Sequence, residues 1–106
     1  MTVYVDRLMD YGWRLGPSCH MFADTLEELH AMAKAIGMKY SWFQDKPALP
    51  HYDLVESRRK RAIAQGAIED NDFRQMQAHR RVNIQRIARE KGLPDPYGDT
   101  HVQVQS

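Results

Sequence analysis

The chain has 106 residues, a formal net charge of +1 and a single cysteine, Cys19. This length predicts one domain with a modest core, and a single cysteine excludes an internal disulfide and favours a reducing compartment. The N-terminal residues lack the basic start and apolar run of a signal peptide, and no stretch approaches the roughly 20 apolar residues that span a bilayer. We therefore expect a cytoplasmic protein without a membrane partner.

Charge is distributed unevenly along the chain. Residues 1–53 hold five Lys/Arg and seven Asp/Glu, whereas residues 54–91 hold ten and five. The acidic part also contains three of the five histidines, namely His20, His30 and His51. The acidic, histidine-bearing part and the basic part are separate in sequence, but a fold can bring them together across one cleft.

The first elements are predicted to be two strands joined by a loop. Thr2–Val5 alternates short β-forming residues and predicts a strand. The glycines and the proline of residues 10–17 predict a loop, and His20–Ala23 predicts a second short strand.

A helix is predicted to begin near Thr25. Thr25 and Glu28 have the spacing of a capping box, and Asp24 with Glu27 gives an alternative register. Gly37 is a typical residue just after a helix end. Apolar residues at helical spacing predict its buried face: Leu26, Leu29, Ala33 and Ile36.

The segment between this helix and the next is predicted to be extended. Tyr40–Gln44 is rich in aromatic residues, which favour an extended conformation. The two prolines within residues 46–50 predict a rigid connector that delivers His51 to a defined place.

A second helix is predicted from about residue 54 to residue 65, and Gly66 would end it. Asp53 and Glu56 have the spacing of a capping pair for this helix. Ala67 and Ile68 then predict a last short strand.

The third helix is predicted to run from Phe73 to about Lys91, with Asp72 as its N-cap and the Gly92-Leu93-Pro94 sequence as its stop. A patchy apolar stripe marks its buried side: Met76, Ile84, Ile87 and Ala88. Residues 93–106 are predicted to form a tail, with a short strand at residues 101–104.

These elements predict a small α/β domain in one or two layers, with a short sheet, two packed helices and a long basic C-terminal helix. The domain would span residues 1–92, with the basic helix at about residues 72–91.

The sequence also resembles the small bacterial and phage family called domain of unknown function 4031, over about residues 1–70. His20 followed by Ala-Asp-Thr, then Glu-Leu-His, then His-Tyr-Asp is a fairly specific combination. Further matching segments lie at residues 1–6, 19–33, 42–44, 50–54 and 58–67. The resemblance implies a compact cytoplasmic domain with a shared polar cluster, and it implies no particular activity, cofactor or partner.

Histidines and carboxylates in this region predict a site for a divalent metal such as zinc or manganese. The candidate ligands are His20, Asp24, His30, His51 and Asp53. A purely structural interpretation is also available. Asp24 and Asp53 would be helix caps, His30 would pack at the edge of an apolar face, and His20 would donate to a backbone carbonyl.

The same region also predicts acid–base chemistry on a phosphate-bearing ligand. His20 and His51 have an ordinary pKa near about 6.5 and can move protons near neutral pH, and arginine binds phosphate through a bidentate fork. The candidate catalytic residues are His20, His51, Asp53 and Arg59. The candidate ligand-binding residues are His30, Tyr52, Trp42 and Arg58. Alternatively, residues 58–61 form a solvated helix face, and Cys19 is a buried structural residue rather than a nucleophile.

The basic third helix suggests contact with a polyanion or a protein partner. Its excess of positive charge favours phosphate-backbone contact, although the pI of 7.9 is low for a DNA-binding domain. The candidate contact residues are Arg74, Arg80, Arg81, Arg86 and Arg89. An exposed helix that docks on an acidic partner or on a second copy of the chain is the competing interpretation.

The leading hypothesis is a polar cleft that binds a phosphate-bearing small molecule or a nucleic-acid end, as in a metal-assisted phosphoester hydrolase. The alternatives are a non-catalytic binding protein that sequesters a nucleotide or inhibits a host protein, a nucleic-acid-binding accessory protein, and a homo-oligomer paired through the long helix.

Overall fold

A computed structural model describes residues 2–97 and shows a mixed sheet covered by helices. In chain order the elements are β1 (Val3–Asp6), β2 (Ser18–Ala23), α1 (Leu26–Ala35), a 3-10 turn (Tyr40–Trp42), β3 (Tyr52–Val55), α2 (Glu56–Ala64), β4 (Ile68–Asp70) and α3 (Arg74–Glu90). The strand order is β3-β2-β1-β4, and β1 and β4 are parallel while the other pairs are antiparallel. The predicted α/β fold class is confirmed.

Alternation along the strands divides the sheet between two cores. On one face, residues such as Val5, Met21 and Leu54 pack with apolar residues of α1 and α2. On the other face, Phe22 packs with Met76 of α3 and with a leucine of the segment that precedes β3. Helices therefore cover both faces, and a polar group on either face is partly shielded from water.

The start and end of α1 follow the sequence prediction. The Glu28 backbone N–H donates to Thr25 Oγ1 at 3.2 Å, as the capping pair requires. Gly37 adopts a φ of 84°, a conformation that glycine tolerates better than other residues. Leu26, however, is 49% exposed, because the buried face begins at Leu29.

Three local predictions were wrong. Asp53 does not cap α2, because β3 continues to Val55 and the helix begins at Glu56 without a side-chain cap. Residues Tyr40–Trp42 form a 3-10 turn rather than an extended segment, because backbone bonds from Trp42 N to Lys39 O and from Phe43 N to Tyr40 O close it.

The third correction concerns the start of α3. Asp70, rather than Asp72, accepts hydrogen bonds from the backbone N–H groups of Gln75 and Met76, both at 2.9 Å. Phe73 has a left-handed φ of 62°, which turns the chain so that the Asp70 carboxylate reaches the first turn of the helix.

After α3, Gly92 has a φ of 71° and Leu93 N donates to Ala88 O, so the predicted helix stop is observed. The first tail residues fold back, and Arg81 lies 5.0 Å from the ring centre of Tyr97. The strand predicted at residues 101–104 lies outside the described residues. Within those residues, no helix combines the length and apolar character needed to cross a membrane.

The two candidate caps of α3 give opposite stability predictions. Asp70→Ala removes an acceptor from two backbone N–H groups and should lower the free energy of unfolding by about 1–2 kcal/mol. Asp72→Ala should change it by less than about 0.5 kcal/mol, because no described hydrogen bond involves the exposed Asp72 side chain. Urea denaturation of both variants measures the difference, and equal losses would contradict the assignment of the cap.

Candidate metal centre

The register of β2 and β3 places His20 directly opposite Asp53. Both side chains lie on the face of the sheet that α3 covers, since Cys19 and Leu54 occupy the other face. His51 precedes Asp53 by two residues and is fixed by backbone pairing with Gln44. One donor atom from each of His20, His51 and Asp53 lies within 4.8 Å of the other two.

A buried carboxylate fixes the orientation of the His20 ring. Asp6, at the end of β1, is fully buried and accepts hydrogen bonds from the His20 backbone N–H at 2.6 Å and from Nδ1 at 2.8 Å. The hydrogen bond to Asp6 raises the pKa of His20, although burial and the charge of Arg80 act in the opposite direction. Because the carboxylate holds a proton on Nδ1, Nε2 of the neutral ring carries the free lone pair.

A backbone carbonyl fixes the His51 ring in the same way. His51 Nδ1 donates to the carbonyl oxygen of Leu49 at 2.7 Å, so Nε2 is directed to Asp53 Oδ1, 3.4 Å away. Two groups that accept hydrogen bonds face each other here, and a proton or a metal ion between them removes the repulsion. When a proton occupies this position, the hydrogen bond from His51 is the main cause that lowers the pKa of Asp53, and the charges of His51 and His20 add to it against the effect of burial.

The donor geometry suits a small divalent ion. Two ligands that each lie about 2.1 Å from a tetrahedral zinc ion are roughly 3.4 Å apart, and the His51–Asp53 pair already has this separation. All separations within the triad are at most 4.8 Å, so they close to the tetrahedral spacing with a change of about 1.4 Å or less. Fixed Nδ1–H groups on both rings are the outer-shell contacts that metal-binding histidines use.

A cleft adjoins the triad at Asp53 and has a volume of about 340 Å³. Trp13 and Trp42 line it, together with Arg58 of α2. The Arg58 guanidinium lies 5.3 Å from the ring centre of Trp42, and Arg58 Nε is buried without a hydrogen-bond partner. The cleft therefore offers aromatic surfaces and a cation beside the candidate metal ligands.

One more polar side chain approaches the triad. The ring of Tyr11 meets that of His20 edge to face at 6.1 Å, and burial, followed by the charges of Asp6 and Asp53, raises the pKa of Tyr11. Arg80 is an exposed residue of α3 whose positive charge lowers the pKa of His20.

The structure separates the other two predicted metal ligands from the triad. His30 lies on the opposite side of the sheet, where its Nδ1 bonds the Tyr52 hydroxyl at 2.8 Å. Tyr52 points to that side because it alternates with Asp53 along β3. Asp24 accepts hydrogen bonds from Thr2 N and His79 Nε2 beyond the end of β2.

Arg59 does not face the cleft. Its Nε donates to the Asp6 carbonyl oxygen at 2.8 Å, and its terminal NH2 donates to Asn71 at 2.9 Å and Glu69 at 3.3 Å. The structure therefore places Arg59 behind the triad, where it supports the end of β1. Cys19 is buried, which raises the pKa of its thiol to about 12 and leaves it protonated near neutral pH.

The arginines predicted to contact nucleic acid or a partner do not form one stripe. The charge of Arg80 lowers the pKa of His20, Arg81 lies over Tyr97, and Arg86 pairs with Glu90 at 3.4 Å. Arg74 and Arg89 are exposed at opposite ends of α3.

Sequence reasoning assigned no site role to Asp6 or Tyr11, whereas the density of aromatic residues already indicated that Trp13 could line a pocket. Asp6 lies fourteen positions before His20, so no local motif connects them. Strand alternation is the signal that places Asp6 near His20. Asp6 follows Tyr4 by two residues and so lies on the face of the sheet that also carries His20.

A model of the family described as "Protein of unknown function (DUF4031)" matches residues 3–83. The chain belongs to this family. The DUF4031 match includes Asp6 and all three residues of the triad, and it extends into α3, beyond residue 70, where the resemblance in the sequence ends. Comparisons with curated proteins and with solved structures find no match.

The Asp6–His20 pair predicts a pH-dependent stability. The folded-state pKa of His20 is raised. The stability that protonated His20 adds to the folded state is therefore fully present below the unfolded-state pKa of about 6.5 and is lost as the pH rises through the folded-state pKa. In chelator-treated protein, the free energy of unfolding relative to His20→Gln should therefore decrease as the pH rises above the unfolded-state pKa of about 6.5. Urea denaturation below and above this pH measures it, and parallel curves for the two proteins would contradict the pair.

Proposed function

We propose that the protein is a divalent-metal hydrolase of phosphoesters and that His20, His51 and Asp53 bind the metal. The observation that carries this proposal is the convergence of the three donors, with both imidazole rings fixed through Nδ1. Two imidazoles and one carboxylate suit zinc or manganese and leave a coordination position for water. A single buried cysteine is compatible with the cytoplasm, where we place the activity.

A metal bound at this position would act as a Lewis acid and lower the pKa of a water molecule. Asp6 would keep Nε2 of His20 directed to the metal and increase its basicity. Since both Nε2 atoms would be metal ligands, neither ring could take up or release a proton at Nε2 during the reaction. Arg59 acts on the site only through Asp6, so we assign it a positioning role rather than a catalytic one.

A cation beside the triad makes a phosphoester the favoured substrate. Arg58 borders the cleft next to Asp53. A water oxygen forms a bond to phosphorus while the ester P–O bond breaks and its electron pair stays on the departing oxygen. The water loses a proton to solvent and the departing oxygen gains one from solvent, so the products are an alcohol and phosphate. The Arg58 guanidinium would stabilise the negative charge on the phosphoryl oxygens.

Removal of one ligand should strongly weaken metal binding. We expect His51→Ala and Asp53→Asn to weaken zinc or manganese affinity by more than the roughly 10–100-fold that loss of an outer-shell partner costs. His30→Gln is the matched control, because His30 lies on the other side of the sheet, and it should bind metal as the wild type does. Isothermal titration calorimetry of the three variants, with circular dichroism to confirm folding, measures the effect.

Hydrolysis of a simple chromogenic phosphomonoester should then depend on added metal and disappear in His51→Ala. Equal metal affinity in wild type and His51→Ala would contradict the proposed centre. Stoichiometric metal binding without turnover of any phosphoester would instead favour the non-catalytic binding protein.

Asp6→Asn tests whether the Asp6 carboxylate keeps the ring proton of His20 on Nδ1. The carboxamide retains an oxygen for the His20 backbone N–H but directs its NH2 group at Nδ1, which moves the ring proton to Nε2. Metal affinity should fall by about 10–100-fold, whereas the exposed Asp45→Asn control should leave it unchanged. Calorimetric titration of both variants decides, and an unaltered affinity in Asp6→Asn would exclude the tautomer mechanism.

A further inference from the structure

We infer that the cleft beside the triad binds the base of a nucleotide, so that the ligand of this site is a nucleoside phosphate. The inference rests on the proposed function for the position of the phosphate, and it adds the chemistry that recognises the rest of the molecule. The cleft of about 340 Å³ has room for one base and its sugar, and Asp53 joins it to the metal ligands.

The walls of the cleft have the composition of a base-binding site. Trp13 and Trp42 remain 43% and 40% exposed, although both line the same cleft. An exposed indole face stacks on any base, since every base has a π face. Leu15, Met38 and Val55 complete the apolar lining. A bare phosphoester would leave this surface uncovered.

Polar groups are placed for the edges of a base and for a phosphate. The side chains of Ser41 and Gln44 line the cleft and take part in none of the described hydrogen bonds. Arg58 Nε is buried without a partner, and a buried donor without an acceptor is costly in a folded protein. A phosphate oxygen in the cleft would supply that acceptor and satisfy the donor.

The two tryptophans also provide the assay, because the chain has no others. Their fluorescence reports on the cleft directly, and a single substitution leaves the second tryptophan as the probe. The titrants are AMP, adenosine, ribose phosphate and inorganic phosphate, each with added zinc. We expect AMP to quench the emission saturably and to bind at least about tenfold more tightly than ribose phosphate, since stacking on an aromatic side chain gives a gain of that size.

Trp13→Leu and Trp42→Leu should each weaken AMP binding by about tenfold or more. Tyr97→Leu is the matched control, because Tyr97 packs on α3 and does not line the cleft, and its AMP affinity should be unchanged. Equal affinities for AMP and ribose phosphate, or unchanged AMP binding in both tryptophan variants, would overturn the inference. Metal-dependent hydrolysis of a simple phosphomonoester would in that case still support the proposed function.

The metal affinity of the wild-type protein separates the two proposals in the other direction. Saturable quenching by AMP in wild-type protein that binds neither zinc nor manganese would support the base-binding cleft and remove the metal centre. An oligodeoxyadenylate titrated beside AMP identifies the source of the nucleotide. Affinity that rises with strand length indicates a nucleic-acid end, and affinity equal to that of AMP indicates a free nucleotide.

Discussion

The buried carboxylate of Asp6 is the group on which the arrangement of the site depends. An ionised carboxylate is stable in a protein interior only when hydrogen bonds replace its lost hydration. Asp6 receives both a backbone and a ring N–H from His20. Its carbonyl oxygen also accepts a hydrogen bond from Arg59, so a single residue joins β1, β2 and α2. Because the carboxylate accepts from Nδ1, it also determines which His20 nitrogen is available to a ligand.

The parts of the fold that depend on local sequence were predictable, and those that depend on distant contacts were not. Thr25 and Gly37 mark the ends of α1 through their own side-chain and backbone preferences. The cap of α3 was wrongly assigned, because nothing in the sequence indicates that Phe73 adopts a left-handed conformation and thereby brings Asp70 to the helix. The prediction that Asp53 caps α2 was wrong for a related reason, since a capping pattern and the end of a short strand look alike in sequence.

The sequence predicted which kinds of residue form the candidate site, but not which of the candidate residues come together. His20, His51 and Asp53 were identified because imidazoles and carboxylates are the usual ligands of divalent ions. Their separation from His30 depends on the register of β2 and β3, and a shift of one residue would place Tyr52 or Leu54 opposite His20 instead of Asp53. The adjacent arginines diverge because consecutive helical residues point about 100° apart, so Arg58 borders the cleft while Arg59 supports Asp6.

The central claim is that Nε2 of both His20 and His51 binds a metal while Nδ1 of both rings remains protonated. A long-range nitrogen–proton NMR spectrum of the histidine rings, recorded during a zinc titration, tests it most directly. The account predicts that the Nε2 resonances of His20 and His51 shift with stoichiometric zinc, that their Nδ1 atoms keep their protons, and that His30 and His79 do not change. Unchanged Nε2 resonances for His20 and His51, or zinc bound through Nδ1, would contradict it.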